Sequence, residues 1–140
     1  MTPNPPTLTA ALTSAISLFA AGVAYAQAAD RAWSYTMEEL YDRASAYKQI
    51  VQRKVPKEPE AQLETSLKAA EFKGYVAGIL DKATDATIRD CTKRLTVTLI
   101  AARAASAITS VPLNRAGHPS GHIHLAIYFA CDESQWEISK

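Results

Sequence analysis

The sequence predicts an all-α protein, a small bundle of about four helices closed by one disulfide bond. Apolar residues recur at steps of three and four over long stretches, which is the period of a helix that buries one face. Proline-containing segments separate these stretches, and proline interrupts helices. The chain also has only two cysteines, Cys91 and Cys131, so a disulfide has a single possible pairing.

The N-terminal residues have the layout of a secretory signal peptide. Residues 1–26 contain no Asp, Glu, Lys or Arg, and the run ends in the small-x-small site Ala24-Tyr25-Ala26. We therefore expect cleavage after residue 26 and export to the periplasm. The alternative is a cytosolic protein with an apolar N-terminal helix.

The remaining residues, 27–140, are enough for one helical domain, with its core at 36–131 and a polar tail at 132–140. The whole chain has 15 basic and 14 acidic side chains, and all of them lie in this domain. Such a balance gives no electrostatic footprint for nucleic acid or anionic lipid. We therefore expect no nucleic-acid partner, and no membrane association after cleavage.

The first helix is predicted to start at Thr36. Thr36 and Glu39 have the spacing of a capping box, in which each side chain bonds the other residue's backbone N–H. An amphipathic stripe follows, made of Met37, Leu40, Tyr41, Ala44, Tyr47 and Val51.

The second helix is predicted from Pro59 or Glu60 to Lys82 or Ala83, after a break at residues 55–59 that contains two prolines. Gly74 and Gly78 share one of its faces, so we expect a tight helix–helix contact there. The predicted buried stripe consists of Leu63, Leu67, Ala70, Gly74, Ala77 and Leu80, extended by Phe72, Tyr75 and Ile79.

A polar connection over Thr84–Asp90 leads to a third helix capped by Asp90 or Thr92 and ended by Pro112. The β-branched residues of Leu95–Ile100 also fit a strand, although the alanines that follow favour a helix. After an irregular segment over Leu113–Ser120, a fourth helix runs from Ser120 or Gly121 to Cys131.

These boundaries put Cys91 at the start of the third helix and Cys131 at the end of the fourth. Consecutive helices joined by a short link run antiparallel, so the two cysteines meet at one end of a hairpin. We expect a Cys91–Cys131 disulfide that ties the last two helices.

No constellation of residues indicates catalysis, so we predict no enzyme activity and no cofactor. His118, His122 and His124 are the only histidines. On a helix, His122 and His124 point to nearly opposite faces, so we expect no metal site, although an extended segment would allow one. The aromatic residues Trp33, Tyr35 and Trp136 either cover the ends of the core or mark a contact surface.

The chain resembles the Rap1a/Tai family, small exported immunity proteins of the type VI secretion system. The match lies in Gly-Tyr-Val-x-Gly-x-x-Asp, with Gly74, Tyr75, Gly78 and Asp81, followed by a cysteine ten residues on and another at the end of the last helix. One of the two family disulfides is missing, because Ala44 and Phe72 stand where the family has its first pair of cysteines.

The resemblance implies a periplasmic inhibitor that blocks a peptidoglycan amidase with a surface loop. The candidate loops are Thr84–Asp90, which offers Asp85 and Asp90, and Leu113–Ser120. The second loop carries Asn114, Arg115 and His118. Family members also form homodimers, which would suit the glycine face or the aromatic residues.

The alternative function is a small periplasmic acid-stress chaperone, a holdase with a single disulfide and a helical fold. Such a protein would expose apolar surface at low pH and bind unfolded clients there.

Overall fold

The computed structural model describes residues 35–136, and these form an all-α domain, as predicted. The predicted signal peptide, Trp33 and residues 137–140 lie outside the described residues. The structure has five helices over this range where the sequence predicts about four. They are α1 (Met37–Val51), α2 (Pro59–Lys82), α3 (Ala86–Arg94), α4 (Val97–Ser110) and α5 (Pro119–Cys131), followed by a 3-10 turn at Glu133–Gln135.

Both ends of α1 are fixed by local hydrogen bonds. The predicted capping box is present: Glu39 N–H donates to Thr36 Oγ1 at 3.2 Å, and Thr36 N–H donates to Glu39 Oε2 at 2.9 Å. At the other end Arg53 adopts a φ of 56°, and Lys54 N–H donates to the Gln49 carbonyl at 2.9 Å. This left-handed residue after the helix closes a Schellman motif, which satisfies carbonyls of the last turn.

The predicted third helix is wrong as a single element, because the chain forms α3 and α4 there. Asp85 caps α3 by accepting from the N–H groups of Thr87 at 2.8 Å and Ile88 at 3.2 Å. Thr96 caps α4 by accepting from Leu99 N–H at 3.2 Å. The strand alternative for Leu95–Ile100 is also wrong, since α4 begins at Val97.

The core lies where α4 packs against α1, α2 and α5. Two tyrosines of α1 bond to carbonyls of α4: the buried Tyr47 donates to the Thr98 carbonyl at 3.2 Å, and the half-buried Tyr41 donates to the Thr109 carbonyl at 3.5 Å. The fully buried large side chains are Phe72, Leu40, Ile100, Ile123, Ile127, Val76 and Cys91.

The predicted buried stripe of α2 is confirmed only in part: its extension, Phe72, Tyr75 and Ile79, is buried together with Leu80, whereas Leu63, Leu67, Ala70 and Gly74 are exposed. The buried residues of α2 are Ala69, Phe72, Tyr75, Val76, Ile79 and Leu80. Leu63 and Leu67 are 62% and 57% exposed, and Gly74 and Gly78 are also exposed. The helix has apolar residues on more than one side, and the side that packs is the one with the two aromatic rings, which remove the most apolar area from water.

The predicted Cys91–Cys131 disulfide is present, with the two Cα atoms 5.5 Å apart. It joins α3 to the end of α5, not the last two helices to each other. The last two helices are α4 and α5, and they pack against one another directly. The pairing of Cys91 with Cys131 is confirmed. The helices that the bridge joins differ from the predicted ones, because Cys91 lies on α3, which is separate from α4.

Candidate functional site

The outward face of α5 is apolar and uncovered. Leu125, Tyr128 and Phe129 lie at helical spacing on this face and are 55%, 40% and 45% exposed. The opposite face of α5 is buried through Ile123, Ala126, Ile127, Ala130 and Cys131. A helix that is apolar on both of its sides is normally covered on both, so this exposed face is the candidate site for contact with another molecule.

A groove of about 530 Å³ runs between α3 and this face of α5. We call it the α3–α5 groove. Its apolar floor comes from the exposed α5 side chains and its rim from α3 and the 3-10 turn. The groove is lined by Thr87, Arg94, Leu125, Tyr128, Phe129, Cys131, Asp132, Glu133 and Ser134.

Two polar interactions connect the two walls of the groove, and a third, within α3, orients one of the residues involved. Arg94 pairs with Glu133 at 2.8 Å and with Asp90 at 3.4 Å, so it links α3 to the turn after α5. The Tyr128 hydroxyl interacts with the carboxylate of Asp85, which caps α3. The Cys91–Cys131 disulfide joins the same two elements, so α3 is covalently held beside α5, and pre-organisation of this kind lowers the cost of binding.

Two carboxylates at the groove have lowered pKa values. The pKa of Asp85 lies below its ordinary value of 3.8, chiefly because of the Tyr128 hydroxyl and then because of the Ile88 N–H. The pKa of Asp132 is lowered mainly by the hydroxyl of Ser134, which donates to Oδ1 at 2.7 Å. Asp85 in turn raises the pKa of Tyr128.

The Asp85 carboxylate makes the first turn of α3 sensitive to acid. Its folded pKa is below the unfolded value, so its stabilising contribution is complete above about pH 4 and is lost as the pH falls through the lowered pKa. We expect the chemical shifts of the Tyr128 ring to follow this transition in an NMR titration. In Asp85→Asn, which keeps a capping side chain, the transition should disappear.

Asp132→Asn is the matched control for this titration, since it removes the neighbouring acid and leaves Asp85 in place. The Tyr128 transition should persist in that variant. If the same transition persists in Asp85→Asn, protonation of the Asp85 carboxylate is not its cause.

The structure separates the two predicted loops. Asp90 is not in a loop, because most of Thr84–Asp90 is the N-terminal half of α3, and Asp85 is the N-cap that ends the short connection before it. They lie beside the C-terminal half of α5, whereas His118 precedes its first turn. Because Tyr128, which contacts Asp85, is ten residues from His118, the two sites are about 15 Å apart along α5.

The second predicted loop is held by its own contacts. Asn114 Oδ1 accepts from Ala116 N–H at 3.1 Å, and Arg115 forms an ion pair with Glu38 at the start of α1. The His122 ring packs close to Gly117: a Cβ there would lie 2.5 Å from Nε2 of His122, so that ring would have to shift. These contacts hold the segment between α4 and α5 to itself and to the start of α1.

The three histidines do not converge. His118 Nδ1 lies 3.2 Å from Ser120 Oγ, and His124 Nδ1 lies 2.6 Å from the Ser120 carbonyl oxygen. Over residues 35–136, no group of three or more His, Cys, Asp or Glu side chains is arranged to hold a metal ion.

Of the predicted helix-packing motif, only Tyr75 packs inside the domain, edge-on to Tyr35 with ring centroids 5.8 Å apart. Gly74, Gly78 and Asp81 are exposed. Tyr35 also has the Arg43 guanidinium 4.2 Å from its ring centroid, and Trp136 donates to the Phe129 carbonyl at 2.9 Å.

Sequence reasoning missed Arg94, Leu125, Tyr128 and Phe129. The signal that identifies the three α5 residues is the near-continuous apolar run from Ile123 to Cys131, interrupted only by His124. Only one side of that run is needed for the core. Arg94 has no such signal, because its partner Glu133 is distant in sequence.

In the part of the chain that the structure describes, no helix has the length and apolar character needed to cross a membrane. Comparison of the sequence and structure with protein-family models, curated proteins and solved structures finds no match.

Proposed function

We propose that this protein is an exported binding protein of immunity type, which neutralises a peptidoglycan amidase by binding it with the α3–α5 groove. The observation that carries the proposal is the uncovered face of α5, with Leu125, Tyr128 and Phe129 at 40–55% exposure. Aromatic side chains in a pre-formed groove are typical of the residues that dominate protein–protein affinity. In this role the chain binds and does no chemistry of its own.

The disulfide supports the cellular location in this proposal. Disulfides persist in oxidising compartments such as the bacterial periplasm, where peptidoglycan amidases act. Cys91 is fully buried and Cys131 nearly so, as expected for a structural bridge. The apolar leader, which precedes the described residues, supplies the route of export in this proposal.

The test is inhibition of an amidase on isolated peptidoglycan. Type VI amidases that are encoded beside the gene for this chain are purified and titrated with the full chain, and release of cleaved peptides is followed. We expect stoichiometric inhibition. If none of these amidases is bound or inhibited, the proposal fails.

Substitutions then test whether the α3–α5 groove is the amidase-binding site. Phe129→Ala and Tyr128→Ala should each weaken binding by on the order of 2 kcal/mol, which is about thirtyfold in Kd. Val51→Ala, which removes an equally exposed apolar side chain at the end of α1, is the matched control and should leave Kd unchanged. If Arg115→Ala weakens inhibition and the groove variants do not, the binding site is the segment before α5.

A second candidate, a periplasmic holdase, is favoured by the exposed leucines of α2. Solvent-exposed apolar surface is what a holdase offers to unfolded clients. This function is tested by suppression of client aggregation at pH 2–3 and at neutral pH. Activity that is confined to acid, without amidase inhibition, would replace the immunity proposal.

A further inference from the structure

Two carboxylates at the α3–α5 groove are held by neutral groups. Asp85 accepts from two backbone N–H groups of α3 and interacts with the Tyr128 hydroxyl. Asp132 accepts from the N–H of Ser134 at 3.1 Å and from its hydroxyl at 2.7 Å. Hydrogen bonds from neutral donors favour the charged form of a carboxylate and leave its charge in place. Each of the two therefore presents a negative charge at the groove.

The guanidinium that lines the groove, that of Arg94, is already occupied. It pairs with Glu133 at 2.8 Å and with Asp90 at 3.4 Å. The other two basic side chains of α3, Arg89 and Lys93, lie at least about 100° around the helix axis from Arg94. The groove is therefore acidic, although the acidic and basic side chains of the whole chain nearly balance.

The ring of Tyr128 is accessible to a cation from outside the chain. It is 40% exposed at the groove. Over residues 35–136, guanidinium groups lie over the rings of Tyr35 and Trp136, and none lies over Tyr128. The face of an aromatic ring attracts cations. Tyr128 thus combines an exposed ring with a carboxylate at its hydroxyl.

The same pair of groups occurs elsewhere in this chain together with an arginine. The Tyr35 hydroxyl donates to Glu71 Oε2 at 3.4 Å. The Arg43 guanidinium lies 4.2 Å from the Tyr35 ring centroid, and its Nε pairs with the same Glu71 oxygen at 2.5 Å. One arginine therefore contacts the ring and the carboxylate at once. Tyr128 and Asp85 are the corresponding tyrosine and carboxylate at the groove.

The exposed side chains next to Tyr128 on α5 are apolar. Leu125 precedes it by three residues and Phe129 follows it directly, and both line the groove. Asp132 lies four residues after Tyr128, which is about 6 Å along the helix axis. A partner segment that places a cation on the Tyr128 ring therefore brings its neighbouring residues onto an apolar surface.

We propose that the α3–α5 groove binds an arginine of the amidase together with an apolar side chain next to it. The guanidinium stacks on the Tyr128 ring and pairs with Asp85, and Asp132 adds negative potential one helical turn away. The apolar side chain packs on Leu125 and Phe129. Arginine suits this site better than lysine, because its planar group stacks on a ring and bonds a carboxylate with two N–H groups. The identity of the partner rests on the proposed function, and the groove's selectivity for a cation deepens it.

The first experiment needs no amidase. The dipeptide N-acetyl-phenylalanyl-arginine amide is titrated into the full chain, and the chemical shifts of the groove residues are followed by NMR. The matched probe is N-acetyl-phenylalanyl-citrulline amide, since citrulline keeps the shape of arginine and lacks its charge. We expect shifts centred on Tyr128 and a Kd at least about fivefold tighter for the arginine peptide, as a cation on an exposed ring and an exposed ion pair together allow.

Two substitutions test the carboxylates. Asp85→Asn and Asp132→Asn remove the charges and keep an oxygen that accepts the local hydrogen bonds. The double variant should bind the arginine peptide at least about fivefold more weakly and the citrulline peptide as before. Glu60→Gln is the matched control, because it removes one exposed carboxylate in the first turn of α2, and it should leave both Kd values unchanged.

The second experiment uses an amidase that the full chain inhibits. The Asp85→Asn/Asp132→Asn variant should inhibit it at least about fivefold more weakly, and the difference from the wild type should shrink at about 0.5 M salt, because exposed charge pairs are screened. Glu60→Gln should inhibit as the wild type does. If Phe129→Ala weakens inhibition and the double variant does not, the groove binds the amidase by apolar contacts alone. The arginine is then excluded while the proposed function stands.

The peptide titration separates the two proposals from the other side. If the arginine and citrulline peptides bind the wild-type chain equally, or if their shifts lie outside the groove, the selectivity for a cation is overturned whatever the amidase assay gives. If the arginine peptide binds as expected and no amidase is inhibited, the selectivity of the groove stands and the amidase is excluded as the source of the arginine.

Discussion

A chain without the Cys91–Cys131 bridge is expected to unfold about 15–30 °C below the wild type. The bridge closes a loop with a sequence separation of 40. In the chain-entropy account, release of such a loop stabilises the unfolded state by about 4 kcal/mol. This is a large fraction of the 5–15 kcal/mol that typically holds a domain together.

The short helix α3 makes the loss larger than average. Its nine residues bury only two side chains, Ile88 and Cys91. Packing alone therefore holds α3 weakly, and the bridge is its main attachment to α5. Without it, hydrogen exchange should show that α3 opens before the rest of the domain, and the α3–α5 groove should lose one wall.

Thermal unfolding followed by circular dichroism checks this prediction. The variant is Cys91→Ala/Cys131→Ala, and the wild type treated with a reducing agent is the control for the cavity that two alanines leave. Both should unfold at similar temperatures, well below that of the oxidised protein. A midpoint within about 5 °C of the oxidised wild type would contradict the role assigned to the bridge.

The largest effect of a single core substitution is expected at Phe72. Its side chain is fully buried, and its ring centroid lies 5.7 Å from that of Tyr47 on α1. Phe72→Ala removes apolar contacts and leaves a cavity between α1 and α2, which typically costs 3–5 kcal/mol, so we expect a loss of about 4 kcal/mol. Urea denaturation measures it.

Phe129→Ala is the matched control, because the same side chain is 45% exposed on the outward face of α5. We expect that change to alter the free energy of unfolding by less than about 1 kcal/mol. Equal effects at the two positions would contradict the assignment of Phe72 to the core and Phe129 to the surface.

Ala44 on α1 and Phe72 on α2 are both fully buried, and these two helices pack more extensively than any other pair of the described helices. Apolar packing of such residues holds α1 to α2.

The starts of the helices followed from the sequence because they depend on neighbouring residues. The Thr36–Glu39 capping box and Pro59 marked two of them, and Pro119 begins α5 one residue before the predicted start. The start of α3 was missed although Asp85 is an equally good cap. The alanines of residues 101–107 favour a single long helix that includes both α3 and α4. The break between these two helices, at Leu95–Thr96, contains neither glycine nor proline to mark it.

The sequence by itself determined the helical class, most helix boundaries and the pairing of the two cysteines. The start and end of a helix depend on hydrogen bonds and caps between residues that are close in sequence. Two cysteines allow only one disulfide pairing. Only the tertiary structure decided which sides of α2 and α5 are buried. Both helices are apolar on more than one side, so their periodicity is ambiguous, and burial goes to the side that removes more apolar area against α1 and α4. The sides left exposed are the face of α2 with Leu63 and Leu67 and the floor of the α3–α5 groove, and the two proposed functions rest on them.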